Sequence, residues 1–329
     1  MPSLHAAQVS IVRCCKWLER AGERLTGAIG PFFVGLAVLL MATGCLSFFV
    51  IIGPTLSMPL LSLPLCVLIA TNMFAHYYFV CTVPPGTPDD GVGLGEGQGL
   101  FWASKRHNGG ISFPDYIAAD GERRFCMKCE RPKPERAHHC RICKTCVLKY
   151  DHHCPVRINQ CVGIRNERHF ILFMFYLVLA SGSFVALGFE HIFIAFDSSD
   201  IEKWPSQYIP RYVFIVIYIL SAALGFAVGI MLAWQLHLIS SAETTVEHSD
   251  FDNYRRNAKH RQETFVNSYD LGRTRNLSLF FNLENYSLYT LLLPLRCAPY
   301  TDGFTWARRA GYQRHQGVRP GDELTDEDD

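Results

Sequence analysis

The sequence predicts an all-α membrane protein with four transmembrane helices and a Cys/His-rich module between helices 2 and 3. Two observations lead to this fold class: four long apolar blocks without a formal charge, and one short stretch in which cysteine and histidine are concentrated. A chain of 329 residues could also form two soluble domains. The clustering of its apolar residues favours the membrane fold instead.

The apolar blocks have the length of membrane spans. Each contains about twenty residues, which is enough for a helix to cross a hydrocarbon core of about 30 Å. Buried helices of soluble proteins are seldom so long and so free of charge. The blocks are residues 32–52, 58–80, 170–189 and 213–234.

Basic residues indicate how the chain is oriented. Residues 120–169 contain twelve Lys or Arg and the N-terminal tail contains several more, whereas the linkers 53–57 and 197–211 contain few. By the positive-inside rule, both termini and the Cys/His-rich module are expected in the cytosol. In that reducing compartment the thirteen cysteines are expected to be metal ligands, nucleophiles or packing residues, not disulfides.

The predicted domain organisation follows from these patterns. Glycine and proline make residues 84–120 a candidate flexible linker, because such a segment buries little apolar surface. The six segments are a cytosolic N-terminal segment (1–30), a transmembrane hairpin (31–83), the Gly-rich linker (84–120), the Cys/His-rich module (121–169), transmembrane helices 3 and 4 (170–240) and a cytosolic C-terminal region (241–329).

Residues 126–161 have the composition of a metal-binding module. They contain seven cysteines and four histidines, with Cys126 and Cys129, then Cys140, Cys143 and Cys146, at the spacing that lets two thiolates reach one tetrahedral Zn²⁺. Two four-coordinate sites need eight ligands, and eleven candidates are present. The spacing does not assign ligands to sites, but it leaves some Cys and His for other roles.

An acid, an imidazole and a thiol stand together at the end of this stretch. His152 and His153 are adjacent, so their side chains are expected to point apart, and one can bind metal while the other stays free. Together with Asp151 and Cys154, a free imidazole would form an Asp-His-Cys relay. The carboxylate orients the ring, and the ring takes the thiol proton.

The run Asp151-His152-His153-Cys154, after this Cys/His spacing, resembles the signature of the DHHC-type protein S-acyltransferases, or palmitoyltransferases. The resemblance covers residues 30–300. It also includes a Pro-Gly pair at 85–86, a Thr-Thr-x-Glu motif at 244–247 and an Asn-x-Tyr motif at 267–269. The Thr-Thr-x-Glu motif is equally compatible with a helix start that has a capping threonine.

The resemblance implies roles for individual residues. It implies that Asp151, His152 and Cys154 are catalytic and that His138 lies near the metal sites or faces solvent. It further implies two structural Zn²⁺ ions in interleaved, closed Cys₃His sites, where no open position remains for catalysis. The implied ligands are Cys126, Cys129, His139 and Cys146 for the first site, and Cys140, Cys143, His153 and Cys161 for the second.

The function implied is protein S-palmitoylation by a two-step ping-pong mechanism through an acyl-Cys154 intermediate. Acyl-CoA, with palmitoyl-CoA as the typical donor, is the expected co-substrate. Cysteine-containing cytosolic or membrane-associated proteins and the lipid bilayer are the expected partners, in a Golgi or ER membrane. Basic residues near the module are candidate contacts of the CoA phosphates or of lipid headgroups. They are Arg136, Lys149, Arg165 and Arg168.

One departure from the family keeps a second interpretation open. The family has Pro-Trp after the motif and five residues before the last ligand cysteine, whereas this chain has Pro155-Val156-Arg157 and six residues. The alternative is therefore an inactive family member or a membrane-tethered zinc scaffold. A nucleic-acid-binding zinc finger is disfavoured because no recognition-helix pattern is present. A channel or transporter is disfavoured because the spans contain almost no ionisable residues.

Overall fold

The computed structural model describes residues 29–90, 101–106, 125–154, 158–197, 204–319 and 322. Predictions for the N-terminal tail, for most of the Gly-rich linker, for the departure at 155–157 and for the acidic C-terminus lie outside the described residues.

Within the described residues, four helices are long and apolar enough to cross a membrane. This agrees with the four predicted spans, with ends that differ by a few residues. Only residues 56–58 connect the first helix to the second, so these two helices form the predicted hairpin. We number the four helices α1 (Ile29–Thr55), α2 (Pro59–Thr82), α3 (Glu167–Leu187) and α5 (Arg211–Ser240).

Helices α2, α3 and α5 pack together in the interior of the bundle. Met73, Phe173 and Val228, one from each of these helices, belong to one hydrophobic cluster that extends from the bundle interior to the module. A second cluster, around Phe48, Phe184 and Phe214, fills the opposite end of the bundle. A short helix, α4 (Phe189–Phe196), follows α3 at that end. The first cluster therefore places the module-side ends of the spans beside the Cys/His-rich residues.

The module between α2 and α3 is made of short β-hairpins, so the all-α prediction is wrong for this part of the chain. In each hairpin the residue before the second strand has a positive φ angle: Glu130 (52°), Lys144 (57°) and Asn159 (52°). A positive φ angle is typical of residues in the tight turns of β-hairpins. The pairs are β1 (Phe125–Cys126) with β2 (Arg131–Pro132), β3 (His138–Cys140) with β4 (Thr145–Val147), and β5 (His152–Cys154) with β6 (Gln160–Val162).

The first residues after α2 are packed against the module, unlike the flexible loop that was predicted for this stretch. Gly86 has a φ angle of 98°, and its carbonyl accepts a hydrogen bond from the Leu148 backbone N–H at 2.9 Å. The Pro85 carbonyl accepts from the Arg165 N–H at 3.1 Å. The Pro-Gly pair is therefore held against the module by backbone hydrogen bonds directly after α2.

The C-terminal region packs beneath the module and against the spans. It contains α6 (Thr245–His260), α7 (Arg273–Phe280) and the one-turn α8 (Tyr289–Leu292). Asn276 of α7 donates to the Ser240 carbonyl at the end of α5, at 2.8 Å. Asn267 donates to the Ser241 carbonyl at 3.0 Å and accepts from the Tyr269 N–H. These contacts hold the region against the module-side end of α5.

Candidate functional site

The first candidate metal cluster joins β1, β3 and β4. Cys126, Cys129, His139 and Cys146 present ligand atoms that all lie within 4.8 Å of one another. The His139 Nδ1 lies 3.1 Å from the Cys129 Sγ and 3.6 Å from the Cys126 Sγ. The Cys129 and Cys146 sulfur atoms are 3.8 Å apart.

The second cluster joins β3 to the β5–β6 hairpin. Cys140, Cys143, His153 and Cys161 again lie within 4.8 Å of one another. The His153 Nδ1 is 3.4 Å from the Cys143 Sγ, 3.5 Å from the Cys161 Sγ and 3.7 Å from the Cys140 Sγ. His153 and Cys161 are directly paired across the hairpin.

The spacing of these atoms fits a tetrahedral ion. Zn–S bonds of about 2.3 Å and Zn–N bonds of about 2.0–2.1 Å require sulfur atoms about 3.8 Å apart and a nitrogen about 3.5 Å from each sulfur. The separations of 3.1–3.8 Å in the two clusters lie around these values. Each cluster offers three thiols and one imidazole, the donor set that zinc favours, so both sets fit Zn²⁺.

The two clusters are connected through adjacent residues of β3. His139 faces the first cluster, whereas Cys140 faces the second. A distortion of β3 at one site is therefore transmitted to the other.

The next site contains Asp151, His152 and Cys154. These are the residues of the Asp-His-His-Cys run that do not belong to the second cluster. His152 and His153 point apart, as expected for adjacent strand residues. The Asp151 carboxylate lies 2.7 Å from the His152 Nδ1. Cys154 hydrogen-bonds with the same imidazole. The three groups are thus in contact and lie outside both metal clusters.

The charges of this site stabilise one another. Burial works against ionisation of Asp151, but the hydrogen bonds from His152 and Thr245 outweigh it and keep the pKa of Asp151 below its ordinary range. Burial would also lower the pKa of His152, yet its hydrogen bonds with Asp151 and Cys154 raise that pKa to about 9. At neutral pH the imidazole can therefore retain a proton and stabilise a neighbouring thiolate.

Two groups from outside the module fix the Asp151 carboxylate, and the sequence motifs did not identify their role. The Gln235 amide of α5 donates to Oδ2 at 3.1 Å, and the backbone N–H of Thr245 donates to Oδ1 at 2.6 Å. The sequence feature that could have indicated the Gln235 contact is a glutamine in the last turns of an apolar span. For the second, a helix N-terminus offers free N–H donors.

The Thr-Thr-x-Glu motif is a helix cap that also docks the module. Thr244 and Glu247 form a capping box at the start of α6. This confirms the interpretation of the motif as a helix start with a capping threonine. The Glu247 carboxylate also forms a two-point contact with the Arg136 guanidinium, at 2.5 and 2.6 Å. Arg136 lies over the Tyr269 and Trp306 rings, at 4.3 and 4.6 Å from their centres.

The four basic residues considered as CoA contacts are used inside the protein. The partners are Glu247 for Arg136, Glu167 for Lys149, Asp90 for Arg165 and the Thr290 carbonyl for Arg168. These contacts argue against any of them as a principal phosphate ligand. His138, predicted near the metal sites or at the surface, is half-buried beside the Tyr150 ring.

An apolar cavity lies between the spans, and Cys154 packs against a hydrophobic cluster that forms part of its lining. The cavity has a volume of about 220 Å³ and is lined by residues of α1, α2, α3 and α5. Met73, Phe173 and Val228 line it and also belong to the cluster against which the half-buried Cys154 packs. The thiol therefore packs against side chains that also line the space between the spans.

Comparisons with known proteins agree with the resemblance. A family model described as DHHC palmitoyltransferase matches residues 119–251. Palmitoyltransferase ZDHHC16A of Danio rerio is 33% identical over 227 residues, which cover 55% of this chain and 58% of the relative. Probable protein S-acyltransferase 16 of Arabidopsis thaliana is 35% identical over 159 residues, covering 48% and 54%. Palmitoyltransferase ZDHHC3 of Rattus norvegicus is 40% identical over 125 residues, covering 37% and 41%. The match spans less than two thirds of the length of each of these relatives.

Proposed function

This chain belongs to the DHHC palmitoyltransferase family, and on that premise we propose that it is a protein S-palmitoyltransferase. It moves a long-chain acyl group from acyl-CoA to cysteines of cytosolic or membrane-associated proteins. The single observation that carries the proposal is the contact set of Asp151, His152 and Cys154, which lies outside both metal clusters. A metal-binding scaffold has no need of such a set.

In the first step, Cys154 attacks the thioester of acyl-CoA. His152 accepts the thiol proton, the sulfur forms a bond to the acyl carbon, and the carbon–sulfur bond to CoA breaks. The departing CoA thiolate takes the proton from His152. Asp151 keeps the imidazole in the orientation that the transfer needs.

In the second step, a substrate cysteine takes the acyl group. His152 accepts its proton, the new thiolate attacks the acyl-Cys154 thioester, and Cys154 leaves as a thiolate that recovers the proton. The exchange of one thioester for another is nearly isoenergetic. The direction of transfer is therefore set by the supply of acyl-CoA and of substrate cysteines.

The cavity supplies the apolar environment for the chain. Burial of a sixteen-carbon chain is worth about 0.8 kcal/mol per CH₂. Because Cys154 packs against the cluster that forms part of the cavity lining, the chain can remain among the spans while the CoA head stays in water. The membrane helices are thus part of the substrate site.

The metal ions have a structural role in this proposal. Cys126, Cys129, His139 and Cys146 hold one Zn²⁺, and Cys140, Cys143, His153 and Cys161 hold the other. Support comes from the donor sets and their separations. When bound, each ion cross-links hairpins that have little hydrophobic core of their own.

The protein is a multi-pass membrane protein. We place both termini and the module in the cytosol, on the basis of the basic residues, and the protein in the Golgi or ER membrane. The domain boundaries at 30, 83, 120, 169 and 240 belong to the same proposal.

A label-trapping experiment tests the function. Purified protein is incubated with palmitoyl-CoA labelled in the acyl chain, and label released by hydroxylamine is measured. We expect such label on the wild-type chain and on Cys81→Ala, a thiol of α2, but none on Cys154→Ala. Absence of label from the wild type, or equal label on Cys154→Ala, would favour the scaffold or the inactive relative.

A further inference from the structure

Residues 286–297, which we call the hook, have an unusual surface for a segment outside the spans. Tyr286 and Thr290 are buried. Four large side chains between residues 288 and 293 are exposed. Such a density of exposed apolar surface is uncommon where a protein is in contact with water. The exposed fractions are 64% for Leu288, 41% for Tyr289, 59% for Leu292 and 41% for Leu293.

Side chains of two spans donate hydrogen bonds to the hook backbone. The Asn72 amide of α2 donates to the Leu292 carbonyl at 2.9 Å. The Tyr176 hydroxyl of α3 donates to the Leu291 carbonyl at 2.7 Å. Both acceptors are at the end of α8, where a single turn leaves the carbonyls without partners inside the helix.

Arg168, in the first turn of α3, completes this set of donors. Its guanidinium donates to the Thr290 carbonyl at 3.0 Å, to the Thr290 hydroxyl at 3.1 Å and to the Leu295 carbonyl at 3.3 Å. Water would satisfy these carbonyls on an ordinary surface loop. In hydrocarbon no water is available, and each unpaired carbonyl would cost several kcal/mol.

The positions of the donors give the depth of the hook. Asn72 precedes Val80, the end of the apolar block 58–80, by eight residues, which corresponds to about 12 Å along the helix. Tyr176 follows Phe170, the first apolar residue of α3, by six residues, or about 9 Å. Because the asparagine side chain is short, the Leu292 carbonyl lies close to the level of Asn72. That level is well inside the apolar length of the spans.

The base of the hook has the residues of a membrane interface. The Arg296 guanidinium lies over the Trp102 ring, at 4.6 Å from its centre. Arg106 donates to the Ser287 hydroxyl at 3.0 Å. Arginine and tryptophan side chains are favoured where hydrocarbon gives way to charged headgroups.

We infer that the hook is a re-entrant element, whose partner is the acyl-chain region of the membrane leaflet on the module side. The apolar side chains of Leu288, Leu292 and Leu293 continue the lipid-facing surface of the spans. Asn72, Tyr176 and Arg168 satisfy the backbone that enters with them. The hook thus anchors the C-terminal region, and with it α6 and α7, in the bilayer.

Photolabelling of the full chain tests the insertion. The protein is placed in phosphatidylcholine nanodiscs that contain a phosphatidylcholine with a diazirine near the middle of one acyl chain, and the adducts are mapped by mass spectrometry. We expect adducts in 286–297 at a yield within about threefold of those in α1. Adducts in the four spans without any in the hook would overturn the inference. Cross-links from the hook to a second copy of the chain, in place of lipid, would also overturn it.

Hydrogen exchange in the same nanodiscs tests the donors. In Tyr176→Phe, the amides of residues 291–293 should exchange about threefold to tenfold faster, as expected for the loss of one hydrogen bond. Tyr218→Phe is the matched control, because that hydroxyl donates to the Val185 carbonyl elsewhere in the bundle at 2.9 Å. It should leave the hook unchanged. Complete exchange of the wild-type hook at the earliest time, or no effect of Tyr176→Phe, would contradict insertion.

Discussion

At the scale of residues, the Asp151 carboxylate is the point at which three segments of the chain meet. It lies beside His152 of the module, and it accepts from Gln235 of α5 and from the Thr245 N–H at the start of α6. With its side chain only 8% exposed, water contributes little to its orientation. The Asp151 carboxylate is therefore positioned by a span and by the C-terminal region as well as by the module.

Substitution of Gln235 tests this positioning. Gln235→Leu should slow acyl-enzyme formation about threefold to tenfold, because it removes one hydrogen bond from Asp151. Gln235→Glu should be slower still, since it places a second carboxylate against the first. Rates are measured by rapid quench with labelled palmitoyl-CoA, with zinc content as the control for folding. Equal rates for all three proteins would contradict the role of Gln235.

The sequence could predict the residues of this site that are neighbours in the chain, but not those that are distant. Asp151, His152 and Cys154 stand in one short run, and their chemistry is recognisable from it. Gln235 is 84 positions away from Asp151, and a polar residue near the end of a span has several possible partners. The packing of α5 against the module decides among them.

At the scale of elements, the start of α6 connects the module to the C-terminal region. The Arg136–Glu247 pair is buried, with side-chain exposures of 4% and 8%. Burial opposes the ionisation of Glu247, but Arg136 outweighs it and lowers the pKa of Glu247. Removal of one partner of such a buried pair strongly destabilises the folded protein, because the other charge stays buried without its partner.

Glu247→Gln should therefore lower the free energy of unfolding by about 3 kcal/mol at neutral pH. Because the folded-state pKa of Glu247 lies below its unfolded value of about 4.3, its contribution is full above that pH. The contribution is lost as the pH falls through the folded-state pKa. Thermal unfolding in micelles should thus show a wild-type advantage that shrinks below about pH 4. Glu284→Gln, in the loop after α7, is the control. An advantage independent of pH would contradict this account.

The two metal clusters predict unequal effects of ligand loss. Cys161→Ser removes a ligand of the second cluster, which includes His153 between His152 and Cys154 on β5. It should lower the zinc content by at least one ion per chain and abolish acyl-enzyme formation. Cys126→Ser, in the first cluster, should also lower zinc but retain more activity. Zinc measured by mass spectrometry, together with acyl label, distinguishes them; full zinc in both variants would refute the ligand assignment.

Sequence pattern predicted the spans closely and the module's secondary structure poorly. Long apolar runs leave few alternatives to a helix in a membrane. Strands of two or three residues are too short to show a periodicity, and each second strand of the module follows a residue with a positive φ angle. The contacts of the hook with Asn72 and Tyr176 depend on how α2 and α3 pack, which the sequence pattern does not give.

At the scale of the whole molecule, the bundle contains an apolar cavity that a larger side chain in its lining would shorten. Gly44 of α1 lines it, and a Cβ atom there would meet the Ile217 side chain at 3.8 Å. Gly44→Leu should therefore reduce the rate ratio of palmitoyl-CoA to myristoyl-CoA about tenfold, the factor for about 1.4 kcal/mol of overpacking. Gly35→Leu is the matched control, because a Cβ there has no described atom within 4 Å. If both variants keep the wild-type ratio, the chain does not occupy this cavity.

The central claim is that the acyl group passes through Cys154, and transfer from an isolated acyl-enzyme tests it most directly. Wild-type protein is labelled with palmitoyl-CoA, separated from all CoA, and mixed with a cysteine-containing acceptor peptide. The account predicts that label leaves Cys154 and appears on the peptide in equal amount, without further acyl-CoA. Label that stays on the protein, or that reaches the peptide only when acyl-CoA is added back, would contradict it.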